Sequence, residues 1–94
     1  MSFPNIYAAN ITRSAATSAE TALFGFDARS IRVHNPGLVK LYVRLSDSGD
    51  ADTGDAGLQA GGTLDLPGIS PISGISIWST STTTGDADVL AIGG

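Results

Sequence analysis

The chain has 94 residues, with five Lys or Arg against nine Asp or Glu, a formal net charge of −4 and no cysteine. It is long enough for one small domain, and disulfide frameworks, thiolate metal sites and cysteine nucleophiles are excluded. An acidic chain with few scattered basic residues lacks the footprint of a nucleic-acid-binding protein, and no apolar run approaches the length of a membrane-spanning helix.

The first 23 residues give the weakest structural signals. The N-terminus has neither the basic start nor the apolar stretch of a signal peptide, so we expect none. Residues 6–11 and 21–26 each fit a short strand. The Ala-rich residues 14–23 show no sustained helical stripe, which favours an extended segment over the alternative of a short helix. We therefore predict that residues 1–23 form an extended N-terminal arm.

The clearest periodicity runs from residue 30 to residue 46. Apolar residues alternate with polar ones in two strands separated by the turn residues 35–37, which is the pattern of an antiparallel sheet covered on one face. If the two strands pair directly, a three-residue loop at residues 36–38 would set Val33 opposite Leu41 and collect the apolar side chains on one face. The sequence therefore predicts a β-hairpin here.

This hairpin would collect basic side chains on its polar face. Arg32, Lys40 and Arg44 would lie together there, with His34 and Tyr42 between them. We interpret Arg32, Lys40, Tyr42 and Arg44 as a docking face for an acidic protein surface, the alternative being an ordinary solvent-facing sheet. No Ser lies in a nucleophile-elbow motif, so we expect no catalytic residue, His34 included, and no enzymatic activity.

Residues 47–57 form the longest predicted loop, with four Asp and three Gly. Asp50, Asp52 and Asp55 could offer carboxylate oxygens to a calcium ion. The EF-hand spacing fails, because the third ligand position falls on Gly54. The alternative is a solvated loop, and no cofactor is expected.

Three further strands are predicted in the second half of the chain. They cover residues 63–66, 72–80 and 87–92. The last of them is apolar on both faces, which predicts deep burial or an interface. Trp78 lies among Ser and Thr residues and is a candidate contact for a glycan, together with Tyr42 and the loop 79–84. The alternative for Trp78 is a place in the core or in an interface.

The whole pattern predicts an all-β fold of about six to eight short strands. We expect a single antiparallel β-sandwich over residues 1–94, of jelly-roll or immunoglobulin-like type, or else a small barrel.

Five short motifs follow one another in the last three quarters of the chain. They are Ile31-Arg32-Val33-His34-Asn35-Pro36-Gly37, Leu41-Tyr42-Val43-Arg44-Leu45, Leu58-Gln59-Ala60-Gly61-Gly62-Thr63-Leu64, Gly74-Ile75-Ser76-Ile77-Trp78 and Ala87-Asp88-Val89-Leu90-Ala91-Ile92-Gly93. Their order resembles that of small β-sandwich virion proteins of tailed bacteriophages, over residues 26–94.

This resemblance implies a virion structural protein, a capsid decoration or cement protein that binds and stabilises the assembled head shell. The implied partners are the major capsid protein or other virion proteins, and we expect a homo-oligomer without nucleic-acid or membrane binding. The implied location is the capsid exterior, after synthesis in the host cytoplasm. The alternatives are a carbohydrate- or receptor-binding module of a virion fibre or tail, and a head–tail or tail structural component.

Overall fold

The structure is a computed structural model that describes residues 5–13, 19–46, 49–69, 71–79 and 85–93. Within these ranges the chain forms strands and no α-helix. The strands are β1 (Asn5–Arg13), β2 (Glu20–Ala28), β3 (Ser30–His34), β4 (Leu41–Arg44), β5 (Ala56–Leu58), β6 (Thr63–Leu66), β7 (Ile72–Trp78) and β8 (Gly85–Gly93). No helical segment in the described ranges has the length and apolarity needed to cross a bilayer.

The strands form two antiparallel four-stranded sheets. Sheet A has the order β1-β8-β3-β6 and sheet B the order β2-β7-β4-β5. The pairs β1–β8, β2–β7, β3–β6 and β4–β5 show that the chain is one long hairpin folded over on itself. This is the strand order of a jelly roll. The predicted all-β sandwich is confirmed, and the strand order selects the jelly roll from the predicted alternatives.

The predicted hairpin with its loop at residues 36–38 is wrong, because β3 and β4 lie in different sheets. Val33 pairs with Val89 of β8, whereas Leu41 pairs with Leu58 of β5. Strands that are neighbours in sequence usually pair, and this was the basis of the hairpin. In the jelly roll, the segment after β3 instead crosses from sheet A to sheet B.

Asn35 holds this crossing in place, with its side chain fully buried. Its Nδ2 donates to the carbonyl oxygens of Val39 at 2.8 Å and Leu58 at 3.0 Å. Its Oδ1 accepts the backbone N–H of Gly37 at 3.1 Å, and its own backbone N–H donates to the carbonyl of Gly62 at 2.9 Å. A buried amide is tolerated here because its hydrogen-bonding groups have partners.

The described part of the N-terminal segment belongs to the sandwich. β1 pairs with β8 along all nine of its residues, and β2 begins at Glu20 in the opposite sheet. The prediction that residues 1–23 form an extended arm is therefore wrong for residues 5–13 and 20–23, which belong to β1 and β2. Residues 1–4 and 14–18 lie outside the described residues.

The core fills the space between the two sheets. Its largest fully buried apolar side chains are Ile31, Val33, Leu41, Ile75 and Ile77. At the β1–β2 side the rings of Tyr7 and Phe24 extend the core, with centroids 5.1 Å apart. Since successive side chains of a strand point to opposite faces, each sheet also presents an outer face. Most of the predicted site residues lie on these outer faces or in the loops beside them.

Candidate functional site

The four residues predicted as a docking face do not share one surface. Arg32 alternates with the buried residues of β3 and lies on the outer face of sheet A, where its Nη2 is 2.9 Å from Oδ2 of Asp65. Tyr42 and Arg44 alternate with the buried residues of β4 and lie on the outer face of sheet B, and exposed Lys40 directly precedes that strand. The crossing between β3 and β4 separates Arg32 from the other three.

On sheet B, Lys40, Tyr42 and Trp78 form an aromatic surface. Tyr42 pairs with Trp78 across β4 and β7, and their ring centroids are 5.9 Å apart at an interplanar angle of 39°. The Nζ of Lys40 is 5.2 Å from the centroid of the Tyr42 ring, within cation–π distance. The aromatic surface therefore combines two ring faces with one cation.

Gly57 borders the aromatic surface on its other side. It is the cross-strand partner of Tyr42 in β5, so no side chain covers the Tyr42 ring from that position. A Cβ at Gly57 would lie only 2.6 Å from Cε of Lys40 and 3.7 Å from Cε1 of Tyr42. Its missing side chain thus leaves room for Lys40 beside the ring. The sequence does not signal this role, because Gly57 is the last residue of the predicted loop 47–57.

Trp78 lies half-buried on the outer face of sheet B, since its strand partner Tyr42 faces outwards too. The structure therefore places it outside the core. In the loop 79–84, Ser79 is buried, and residues 80–84 lie outside the described residues.

The predicted loop with four Asp residues, 47–57, is called the acidic loop below. It lies at the tip of the long hairpin, where β4 is followed by β5, and Arg44 binds it. The Nε of Arg44 donates to the two carboxylate oxygens of Asp55 at 3.2 and 3.1 Å. Its Nη2 is 3.6 Å from Oδ2 of Asp52. The charge of Arg44 is therefore paired within the chain. Of the three cations predicted for docking, Lys40 is the one that has no carboxylate partner among the described residues.

Ser76 fixes the loop to the sheet and was missed by sequence reasoning. It occupies an outward-facing position in β7, opposite Arg44, yet it is fully buried. Its Oγ accepts the backbone N–H of Ala51 at 2.9 Å, and Ala51 is itself buried. An outward-facing serine in an alternating strand reads as solvent-exposed, so the sequence carries no signal for this contact.

The loop's own hydrogen bonds use the carboxylates proposed as calcium ligands. Oδ2 of Asp55 accepts the backbone N–H of Asp52 at 2.9 Å, and Oδ1 of Asp52 accepts the backbone N–H of Gly54 at 2.8 Å. Asp50 is exposed and makes no described contact with them. In the described ranges, no three His, Cys, Asp or Glu side chains converge on a possible metal position. The structure therefore pairs two of the three predicted ligands with Arg44 and does not bring the third to them.

The same contacts predict an acid-sensitive loop. The backbone N–H of Asp52 and, next, the Arg44 guanidinium hold the pKa of the Asp55 carboxyl below its usual value. A carboxyl whose pKa is lower in the folded state stabilises the fold above its ordinary pKa of about 3.9, and that contribution is lost as the pH falls through the folded pKa. We expect the carboxyl carbon of Asp55, followed by NMR against pH, to titrate below that ordinary value.

Two variants test the cause of this shift. Arg44→Gln is expected to raise the pKa of Asp55 only part of the way, because the stronger contribution from the Asp52 N–H stays in place. Arg32→Gln, a matched neutralisation on sheet A, is expected to leave the Asp55 titration unchanged. Titration of Asp55 at or above the ordinary value in the unaltered protein would contradict the described loop geometry.

An open depression of about 360 Å³ lies beside a bulge in β2. It is lined by Leu23, Gly25, Phe26, Asp27 and Ser73. Asp27 is its one titratable group, so the lining offers no acid–base pair. His34 lies in the opposite sheet, with Nδ1 3.0 Å from Oγ1 of Thr63. The aromatic surface is therefore the better candidate for a functional site.

The chain matches no protein-family model, no curated protein and no solved structure. The assignment to the jelly roll stands on the strand order, and the resemblance to phage virion proteins stands on the sequence motifs alone.

Proposed function

We propose that the protein is a structural component of a bacteriophage particle, a decoration or cement protein that binds the outside of the assembled head shell. The aromatic surface is the observation that carries this function. Tyr and Trp are enriched among the residues that dominate binding at protein interfaces. Lys40 adds a positive charge, which suits an acidic patch on the shell and orients the encounter.

Fewer of the predicted docking residues remain available to a partner than the sequence predicts. Arg32 and Arg44 are occupied by Asp65 and Asp55 within the chain. We therefore assign docking to Lys40, Tyr42 and Trp78. A protein that binds only the assembled shell stabilises that shell by mass action, without any catalytic residue.

The architecture supports this function as an analogy. Jelly rolls occur in viral capsid domains and in lectins. A fold does not by itself assign a function, so this support is secondary to that of the aromatic surface.

The first test is binding to shells assembled without the protein. Tyr42→Ala is expected to weaken binding about 30-fold, which corresponds to about 2 kcal/mol for the loss of a central interface aromatic. Arg32→Gln, on the outer face of the other sheet, is the matched control and is expected to bind like the unaltered protein. Equal binding by the Tyr42 variant and the unaltered protein would remove the aromatic surface from shell docking.

The composition and stability of the particle test the function itself. We expect the protein in purified particles, in many copies arranged with the shell symmetry, and a lower melting temperature for shells that lack it. A single ring of copies would instead indicate a connector or tail component. Absence from particles, or shells equally stable with and without the protein, would contradict the proposal.

The second candidate is glycan binding by the same surface. It is favoured by the two neighbouring rings of Tyr42 and Trp78, because sugars stack on aromatic faces. The chain has one Trp, so its fluorescence reports on this surface directly. Quenching by a glycan, lost in Tyr42→Ala and kept in Arg32→Gln, would favour this candidate. An unchanged spectrum across a broad glycan panel would remove Trp78 from such a role.

A further inference from the structure

β1 is a long edge strand without the usual protection against pairing. Among the described residues, β8 is its only strand neighbour, and the register runs through all nine residues without a bulge. The one charged residue of β1 is Arg13 at its end and Pro4 precedes it, so residues 5–12 contain neither a charge nor a proline. Natural sheets normally protect an edge with Lys, Pro, a bulge or a very short strand, because its unpaired backbone groups otherwise pair with another chain.

The other three sheet edges carry such protection. β2 is bulged, with Gly25 at a φ of 84°, and it ends next to Asp27. β5 has only three residues. β6 has only four residues and carries Asp65. The contrast singles out β1 as the edge that is built to accept a further strand.

The outer face beside the first half of this edge is apolar. Ile6 of β1 is 61% exposed and Leu90 of β8 is 36% exposed. The exposed Ala8 pairs with Leu90, and the half-buried Ile92 pairs with Ile6. A strand added at β1 would therefore continue the backbone ladder and lie beside the exposed side chains of Ile6 and Ala8.

We propose that β1 pairs with β1 of a second copy of this chain, in an antiparallel two-fold arrangement that joins the two A sheets into one. The strand is neutral over residues 5–12, so two acidic chains meet where neither brings a charge. The nearby carboxylates of Asp86 and Asp88 each accept a hydrogen bond of 2.8 Å from Nδ2 of Asn10. Both carboxylates are thus bound within their own sheet. An isologous interface of this kind is self-complementary, because the same surface serves both chains.

The test is the mass of the protein in solution, measured by light scattering and sedimentation over a range of concentrations. We expect twice the 9.5 kDa of one chain. Ile6→Glu is expected to reduce the mass to that of a monomer at concentrations where the unaltered protein is dimeric. Leu23→Glu is the matched control, since Leu23 is 62% exposed on the edge strand β2, and it is expected to stay dimeric.

Amide hydrogen exchange of the unaltered protein provides a readout that does not depend on whether the variant folds. We expect exchange in β1 to slow as the concentration rises, with no such change in β5 or β6. A monomer at all concentrations, a dimer that survives Ile6→Glu, or concentration-dependent protection on another edge would each overturn the inference. None of these measurements involves a shell, so they are independent of the function proposed above.

Discussion

Replacing Asn35 by Ala is expected to lower the free energy of unfolding by about 3 kcal/mol. The variant removes two hydrogen bonds donated to the carbonyls of Val39 and Leu58 and one accepted from Gly37. A buried polar group that loses its partner costs roughly 1–3 kcal/mol, and at least one of these carbonyls is left buried. Urea unfolding followed by far-UV circular dichroism should show a lower midpoint with an unchanged slope.

Two further variants separate the lost hydrogen bonds from the lost volume. Asn35→Asp keeps the size of the side chain but cannot donate when ionised, so we expect it to destabilise at least as much as Asn35→Ala. Asn10→Ala is the surface control, because Asn10 bonds only exposed partners on the outer face of sheet A. Its effect should stay below about 1 kcal/mol. Similar effects for Ala at positions 10 and 35 would contradict the role of Asn35 at the crossing.

Replacing Ile77 by Ala is expected to cost about 3–4 kcal/mol of unfolding free energy. Ile77 is fully buried in β7, in the interior of sheet B, where it pairs with Val43 of β4 and with Glu20 of β2. The loss combines the apolar area returned to water with the cavity that close-packed neighbours cannot fill. Thermal and urea unfolding measure it, with the single Trp as an additional probe of the adjacent position.

Two further variants test whether the loss of stability at Ile77→Ala comes from packing in the core. Ile77→Val removes one methylene and should cost only about 1 kcal/mol. Leu23→Ala removes an apolar side chain that is 62% exposed, and it should change stability by less than about 0.5 kcal/mol. A loss at Ile77→Ala no larger than that at Leu23→Ala would show that Ile77 does not lie between the sheets.

The aromatic surface depends on this same packing. Tyr42 is held between Leu41 and Val43, which are buried on the opposite side of β4, and Trp78 follows buried Ile77. The core therefore fixes the two strand positions from which the rings project. Such preorganisation lowers the entropy lost on binding.

Strand positions were accessible from the sequence. The strand predicted at 63–66 coincides with β6, and the one predicted at 72–80 contains β7. Alternation of apolar and polar residues is a local consequence of one buried face, so it reveals strands and their inner sides without knowledge of their partners. For β1 and β2 the signal was weaker, because exposed Ile6 and Leu23 interrupt the alternation.

The sequence by itself therefore determined the all-β class, most of the strands and, where apolar and polar residues alternate, which side of a strand faces the core. Only the tertiary structure decided which strands are neighbours. As a result, Arg32 lies on one sheet, whereas Lys40, Tyr42 and Arg44 lie on or beside the other. Tyr42 is the strand partner of Trp78, and Asp55 of the acidic loop binds Arg44. The physical reason is that alternation records the burial of each residue, whereas pairing in a jelly roll joins segments as distant as β1 and β8, which no local pattern encodes.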